Sequence, residues 1–210
     1  MSMFFGSRIN MKSVTAAQLA ALSMWRILSV GDRVGAVVFN DSEFKLFRSH
    51  RSRPHVLSIF GTLSKFNQQL RADSDQARNP GMLNEVLQRV SRLASHDYLV
   101  CIVSDFDGMD QETRRLLIEM AQHNDVMAAL VYDSLAKKSP KGARLVVSHG
   151  ELQVELDLTK SKIRKPITQF SNERLLGVEQ MLKEAGVPVL PFNTEDGVTE
   201  QLHRMLGQRS

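Results

Sequence analysis

The sequence has little of what stabilises secreted proteins or anchors proteins in membranes. Its 210 residues include a single cysteine, Cys101, so an internal disulfide is excluded. No apolar run approaches the ~20 residues that a membrane-spanning helix needs, and the amino terminus has no signal-peptide pattern. We therefore expect a cytoplasmic protein in which Cys101 is a buried, unreactive thiol inside a strand.

The usual signatures of cofactor and nucleotide sites are also missing. Six histidines are scattered without the spacing of metal ligands, so a zinc site is not predicted. The motifs GxxxxGK[ST], GxGxxG and GxSxG are absent. The net charge of +4 comes partly from a basic cluster at Arg48–His55. This cluster contains no aromatic residues, so nucleic acid is not the favoured partner, although a phosphate or an acidic protein remains an alternative.

The order of apolar patterns predicts one α/β domain over residues 1–210, with a small β-hairpin near 143–158. Ser13 is the predicted N-cap of the first helix, and Gly31 is predicted to end it. We predict helices at 13–30, 55–70, 82–94, 110–122, 171–185 and 196–207, and strands at 33–39, 43–47, 98–103, 126–132, 143–148, 152–158 and 187–192.

The segment Tyr98–Val103 is an apolar run typical of a central parallel strand that is buried on both faces. It is followed by Ser104, Asp105, Asp107 and Gly108. Ligands of open α/β sheets bind at the carboxyl ends of such strands. Asp133, after the next predicted strand, is expected at the same edge.

Three interpretations of this acidic edge are open. The side chains cap the following helix or stabilise a turn, or they bind a hard cation such as Mg²⁺ or Mn²⁺. Alternatively, Asp105–Gly108 resembles the DxDG motif of Mg-dependent haloacid dehalogenase-type phosphatases, in which Asp105 would be the nucleophile and Asp107 the acid/base. The sequence lacks the paired aspartates of that family, and the motif is not at the start of the domain.

Several short segments together resemble the von Willebrand factor A-like domain of an uncharacterised bacterial family, whose genes often neighbour MoxR-type AAA+ ATPases. The segments are Ser2–Ser7, Lys12–Ala17, Gly31–Gly35, Ser104–Phe106, His123–Val126, Tyr132–Leu135 and Pro140–Gly142. The resemblance implies a Rossmann-like sheet flanked by helices. It also implies a non-enzymatic interaction module that works with the ATPase in complex assembly or remodelling.

The resemblance implies a metal-ion-dependent adhesion site as well. Such a site uses a DxSxS motif after the first strand, a threonine from a later loop and an aspartate after the fourth strand. Asp105 matches this aspartate and Ser2 matches the last serine, while Asp107 would assist through water. No threonine is present near Pro80–Met82. We therefore expect an incomplete site that binds Mg²⁺ or Mn²⁺ weakly or no longer at all.

By the same resemblance, the first central strand is missing or truncated, so that the domain is N-terminally incomplete. A truncated gene, a misplaced start and real divergence are alternative explanations. The strands beside the gap would carry unpaired backbone groups. We expect the isolated chain to aggregate, to close the gap by direct strand pairing, or to recruit a strand from another molecule.

Overall fold

The computed structural model describes residue 3 and residues 10–70, 79–133, 144–149, 152–157 and 161–207. Helices and strands alternate along these segments, as predicted for an α/β protein. The helices are α1 (Lys12–Ser29), α2 (Arg53–Gln69), α3 (Met82–Leu93), α4 (Gln111–Ala121), α5 (Ser161–Glu184) and α6 (Val198–Leu206). The strands are β1 (Val34–Phe39), β2 (Phe44–His50), β3 (Leu99–Ser104), β4 (Asp125–Tyr132), β5 (Arg144–His149), β6 (Leu152–Asp157) and β7 (Val189–Asn193).

A parallel sheet of three strands, in the order β3-β4-β7, organises the fold. At its carboxyl edge Ser104 of β3 pairs with Leu130 of β4, and Tyr132 of β4 pairs with Asn193 of β7. Because the strands are parallel, the loops that follow them leave from one edge. The residues after β3, β4 and β7 are thereby brought together there.

Strand β4 shows why helices cover this sheet on both faces. Its alternate residues Ala128 and Leu130 belong to a core with α3, α4 and α5, whereas Ala129 and Val131 belong to a core with α1 and α6. None of these four side chains is more than 2% exposed. A strand buried on both faces is the hallmark of a sheet between two helical layers. The fold is therefore Rossmann-like, with a von Willebrand A-type sheet and flanking helices.

Strand β3 was predicted to be a central strand buried on both faces, and this prediction is wrong for the described residues. Its hydrogen-bonded neighbour there is β4 alone, so β3 is an edge strand and β4 is central. Leu99 is 59% exposed, and Cys101 is exposed rather than buried. The surrounding chain still excludes enough water to raise the pKa of the Cys101 thiol. An apolar run indicates that a strand prefers to be buried, but it does not indicate whether a second strand pairs with its other edge.

Strands β1 and β2 form a separate antiparallel hairpin. Its register shifts between Val34 and Ala36 at a bulge that contains Gly35. A Cβ at Gly35 would lie 2.9 Å from the Ser49 hydroxyl oxygen and 3.0 Å from the Phe47 carbonyl oxygen. Glycine is therefore required where the two backbones approach.

No hydrogen-bond ladder joins β1 to β3 in the part of the chain that the structure describes. The predicted closure of the gap by direct strand pairing is therefore not observed. Residues 1–5, where the tail of the missing strand was expected, lie outside the described residues except for residue 3.

Helix α1 connects the two sheets. Leu19 packs in the core beside β4 and β7, and Met24 packs in a second core with β1 and α2. The helix begins at Lys12 after Met11, without a side-chain cap, so the prediction of Ser13 as N-cap is wrong. Its end is as predicted, because Gly31 adopts a left-handed φ of +88°.

The carboxyl-terminal elements follow the prediction, with one difference. The hairpin near 143–158 is present as β5 and β6, which pair antiparallel. Helix α5 begins at Ser161 rather than at 171, and Pro166 lies within its second turn. A proline early in a helix removes one backbone donor without preventing helix formation upstream. No helix in the described segments is long and apolar enough to cross a membrane.

Candidate functional site

The loop after β3 is a tightly fixed turn. The Ser104 hydroxyl accepts a 3.0 Å hydrogen bond from the Phe106 amide, and Asp105 Oδ1 accepts one of 3.2 Å from the Asp107 amide. Phe106 is 1% exposed, and its φ is +52°. A non-glycine residue in this region is strained, and its buried ring helps to hold it there. The turn interpretation of Ser104 and Asp105 is thus supported by direct side-chain to backbone bonds.

Asp105 also forms an ion pair with the first residue of α1. The Lys12 ammonium nitrogen lies 2.6 Å from Asp105 Oδ2, and the two side chains are only 10% and 7% exposed. The pair joins positions 93 residues apart in sequence. It therefore holds the start of α1 against the carboxyl edge of the parallel sheet.

Asp107 has a basic partner from a different helix. Arg174 of α5 lies 2.6 Å from Asp107 Oδ1, with side-chain exposures of 40% for the arginine and 20% for the aspartate. This pair is closer to solvent than the Lys12–Asp105 pair and is correspondingly more screened. Both carboxylates of the Asp-Phe-Asp segment are thus engaged by cations of the chain itself.

A polar cluster links α3 to the start of α4 beside this loop. Asp110 caps α4, because its side chain accepts from the Thr113 amide while the Thr113 hydroxyl accepts from the Asp110 amide. The Asn84 side chain donates to Asp110 and accepts from the Thr113 hydroxyl. The Thr113 amide first, and then Asn84, lower the pKa of Asp110 below its usual value.

Asp133 is at the predicted edge, directly after β4. It is 7% exposed, and its Oδ2 accepts a 3.2 Å hydrogen bond from the Thr194 hydroxyl, which follows β7 and is fully buried. This bond ties the ends of two neighbouring strands together. Its geometry fits the role of a buried structural carboxylate.

The basic cluster Arg48–His55 runs from the end of β2 into the first turn of α2. Ser52 caps α2 by accepting from the His55 amide. The rings of His50 and His55 lie 5.1 Å apart, and the Arg51 guanidinium packs against Gly31. The cluster therefore connects the hairpin to α1 and α2, which gives these residues a structural role.

The described residues do not fit a divalent metal. Asp105 accepts from the Lys12 ammonium at one oxygen and from a backbone amide at the other. Within the segments that the structure describes, no group of three His, Cys, Asp or Glu side chains is arranged to hold an ion. Ser2, the other predicted ligand, lies outside the described residues. Shortly after Pro80–Met82, where the threonine was expected, the Asn84 side chain donates to Asp110 in the cap of α4.

A family model described as "Protein of unknown function DUF58" matches residues 1–174. The chain belongs to this family. No curated protein matches it. Among solved structures the chain is similar to that described as "Crystal structure of conserved hypothetical protein BatB from Bacteroides thetaiotaomicron", with a TM-score of 0.55 and 12% sequence identity. The similarity covers 99% of this chain and 92% of that chain. At this identity the likeness concerns the fold alone.

The family match confirms the expectation of an uncharacterised family, and the fold agrees with the von Willebrand A-like arrangement. Neither comparison bears on an ATPase partner or on a metal ion. Sequence reasoning found Asp105, Asp107 and Asp133 but missed the cations beside the first two. Lys12 had been quoted only as part of a family segment, although a lysine at the start of an apolar helix is a signal that its charge has a partner.

Proposed function

We propose that the chain is a non-enzymatic, cytoplasmic protein-interaction module of the von Willebrand A type. It works with a MoxR-type AAA+ ATPase in assembling or remodelling a protein complex. Family membership and the α/β fold, with its sheet between two helical layers, support the module. The segments that resemble the family support the ATPase as partner. The observation that carries the non-enzymatic part is the burial of Asp105 against Lys12, with only 7% of the carboxylate side chain exposed.

The contact surface in this proposal is the loop after β3 together with the adjacent part of α5. Arg174 is the most exposed charged member of the two ion pairs there, at 40%. It presents a guanidinium at the edge of the sheet, and guanidinium groups are enriched in the energetically dominant parts of protein interfaces. An acidic side chain of the partner would complement it.

A binding measurement with a purified MoxR-type ATPase from the same organism tests this proposal. Arg174→Glu places a carboxylate beside Asp107, and we expect it to weaken binding at least ~10-fold. Arg115→Glu is the matched control, because Arg115 is an exposed arginine paired with Glu112 and Glu119 on α4. We expect the control to bind within ~2-fold of the unaltered chain. Failure of the unaltered chain to bind in ATP or ADP, or equal losses in both variants, would reject the proposed surface.

A Mg-dependent phosphatase remains the second candidate because one observation favours it. A lysine ammonium lies 2.6 Å from the carboxylate that would be the nucleophile, and an adjacent cationic group is one of the features that accompany enzyme nucleophiles. The deep burial of Asp105 opposes this function, since the nucleophile has to reach phosphorus. Turnover of an aryl phosphate with Mg²⁺ that is abolished by Asp105→Asn would establish the enzyme and overturn the module.

A further inference from the structure

The Lys12–Asp105 pair stands at the point where a metal-ion-dependent site would need its aspartate. The lysine nitrogen lies 2.6 Å from Asp105 Oδ2, and neither side chain is more than 10% exposed. The second oxygen, Oδ1, accepts from the Asp107 amide. The carboxylate is therefore bonded on both oxygens by groups of this chain.

The position of Lys12 is unfavourable for a lysine in two respects. It is the first residue of α1, where the helix dipole is positive and disfavours a cation. It is also buried, and an ammonium group loses much of its hydration when it is buried. The first turn of α1 contains no acidic residue that would compensate. Asp105, which joins the helix from the end of β3, supplies the opposite charge that makes this placement stable.

We infer that the Lys12 ammonium takes the place of the divalent cation at Asp105, so that the loop after β3 is complete without metal. The inference concerns the chain's own loop and does not depend on the proposed partner. A magnesium ion binds carboxylate oxygens at about 2.1 Å, and it demands an octahedral shell of oxygens. Its approach to Asp105 Oδ2 is opposed by the like charge of the ammonium, which lies 2.6 Å from the same oxygen.

The neighbouring pair extends the same arrangement. Asp107, which was predicted to assist a metal through water, lies 2.6 Å from Arg174. Lys12 comes from α1 and Arg174 from α5, so two helices that are far apart in sequence each neutralise one carboxylate of the loop. The fixed charge of two side chains replaces the exchangeable charge of an ion.

The first test uses the unaltered full-length chain. Thermal unfolding is followed in EDTA, in Mg²⁺ and in Mn²⁺ at millimolar concentration. We expect the same melting temperature in all three, because a ligand that does not bind the native state does not shift its stability. A rise of several degrees in either metal that disappears in Asp105→Asn would overturn the inference.

The second test is a double-mutant cycle measured by urea unfolding. Lys12→Met keeps the aliphatic stem and removes the charge, while Asp105→Asn keeps an oxygen for the Asp107 amide. Each single change removes one member of the buried pair and is expected to lower the folding equilibrium constant by about 10²–10⁴-fold. The double variant is expected to be at least as stable as the less stable of the two single variants. Losses that simply multiply would contradict a direct pair.

Lys65→Met is the matched control for the cycle, because Lys65 is an exposed lysine in the body of α2. We expect it to change the same constant by less than ~3-fold. Should both single variants fail to fold, a folded double variant still supports the pair, because only loss of both charges removes the buried imbalance. Should the double variant also fail, the metal titration of the unaltered chain decides, with no shift supporting the inference and an Asp105-dependent shift rejecting it.

Discussion

Alanine at Gly108 is expected to destabilise the loop after β3 through one close backbone contact. Gly108 and Gly186 both adopt the left-handed region, with φ of +82° and +73°. At Gly108 an added Cβ would lie 2.9 Å from the Pro80 carbonyl oxygen and 3.1 Å from Pro80 Cα. At Gly186 no atom lies within 4 Å of the added Cβ. The two substitutions therefore share backbone strain and differ in the contact with Pro80.

The magnitudes follow from these two terms. An L-residue in the left-handed region costs about 1–2 kcal/mol. Forcing a methyl group into packed backbone costs about 1–3 kcal/mol more, because Pro80 cannot move as a flexible side chain can. We therefore expect Gly108→Ala to lower the free energy of unfolding by about 2–5 kcal/mol, and Gly186→Ala to lower it by about 1–2 kcal/mol.

Urea unfolding followed by circular dichroism measures both values, and their difference isolates the contact. Hydrogen exchange at the Phe106 and Asp107 amides adds a local reading, since both are held by side chains of the turn. We expect these amides to exchange faster in Gly108→Ala than in Gly186→Ala. Equal losses of stability in the two variants, within ~0.5 kcal/mol, would show that the loop does not pack on Pro80 in this way.

Two further changes test the helices around the site. Asp110→Ala should lower the free energy of unfolding by about 0.5–2 kcal/mol at pH 7 through loss of the α4 cap. Because the pKa of Asp110 is lowered from 3.8 in the folded chain, its contribution is present above that pH and is lost as the pH falls through the lowered pKa. The difference in stability between the two proteins should therefore shrink as the pH falls below 3.8, and a difference that stays constant through the acid range would contradict the charged cap. Gly61 lies in the exposed middle of α2, and a Cβ added there would have no atom within 4 Å. Gly61→Ala should therefore raise the free energy of unfolding by about 0.5–1 kcal/mol, measured by urea unfolding. A decrease would contradict a regular helix at this position.

The parallel sheet was largely predictable because its apolar runs are long and the turns between them are polar. The strand 126–132 was expected to be buried, and β4 is buried on both faces. The strand 98–103 is similarly apolar, but within the described residues β4 is its single hydrogen-bonded neighbour. An apolar run could not separate the two strands, because the number of strands beside each one is not a property of its own sequence.

Helix boundaries were less predictable where local signals compete. Ser13 has the preferred side chain for an N-cap, yet α1 begins one residue before it and buries Ser13. The helix start coincides with the contact between Lys12 and Asp105, a tertiary contact 93 residues away in sequence that a local capping preference does not include. Helix α5 begins at Ser161, ten residues before its predicted start, although Pro166 lies within its second turn. A local sequence pattern predicts neither the distant contact at the start of α1 nor the continuation of α5 through a proline.

The candidate site shows where residue-by-residue transfer from a family motif reaches its limit. Asp105 is placed at the carboxyl edge of the sheet, as its match to the motif implies, and it carries a negative charge that has to be balanced. A sequence motif identifies the aspartate but not the cation that neutralises it. That cation, Lys12, is 93 residues away in sequence and lies at a helix start, where the helix dipole normally disfavours positive charge. A sequence motif alone therefore does not distinguish an aspartate whose charge is balanced by a metal ion from one whose charge is balanced by an internal cation. In this chain the cation that the structure shows beside Asp105 is Lys12, which α1 brings to the edge of the sheet.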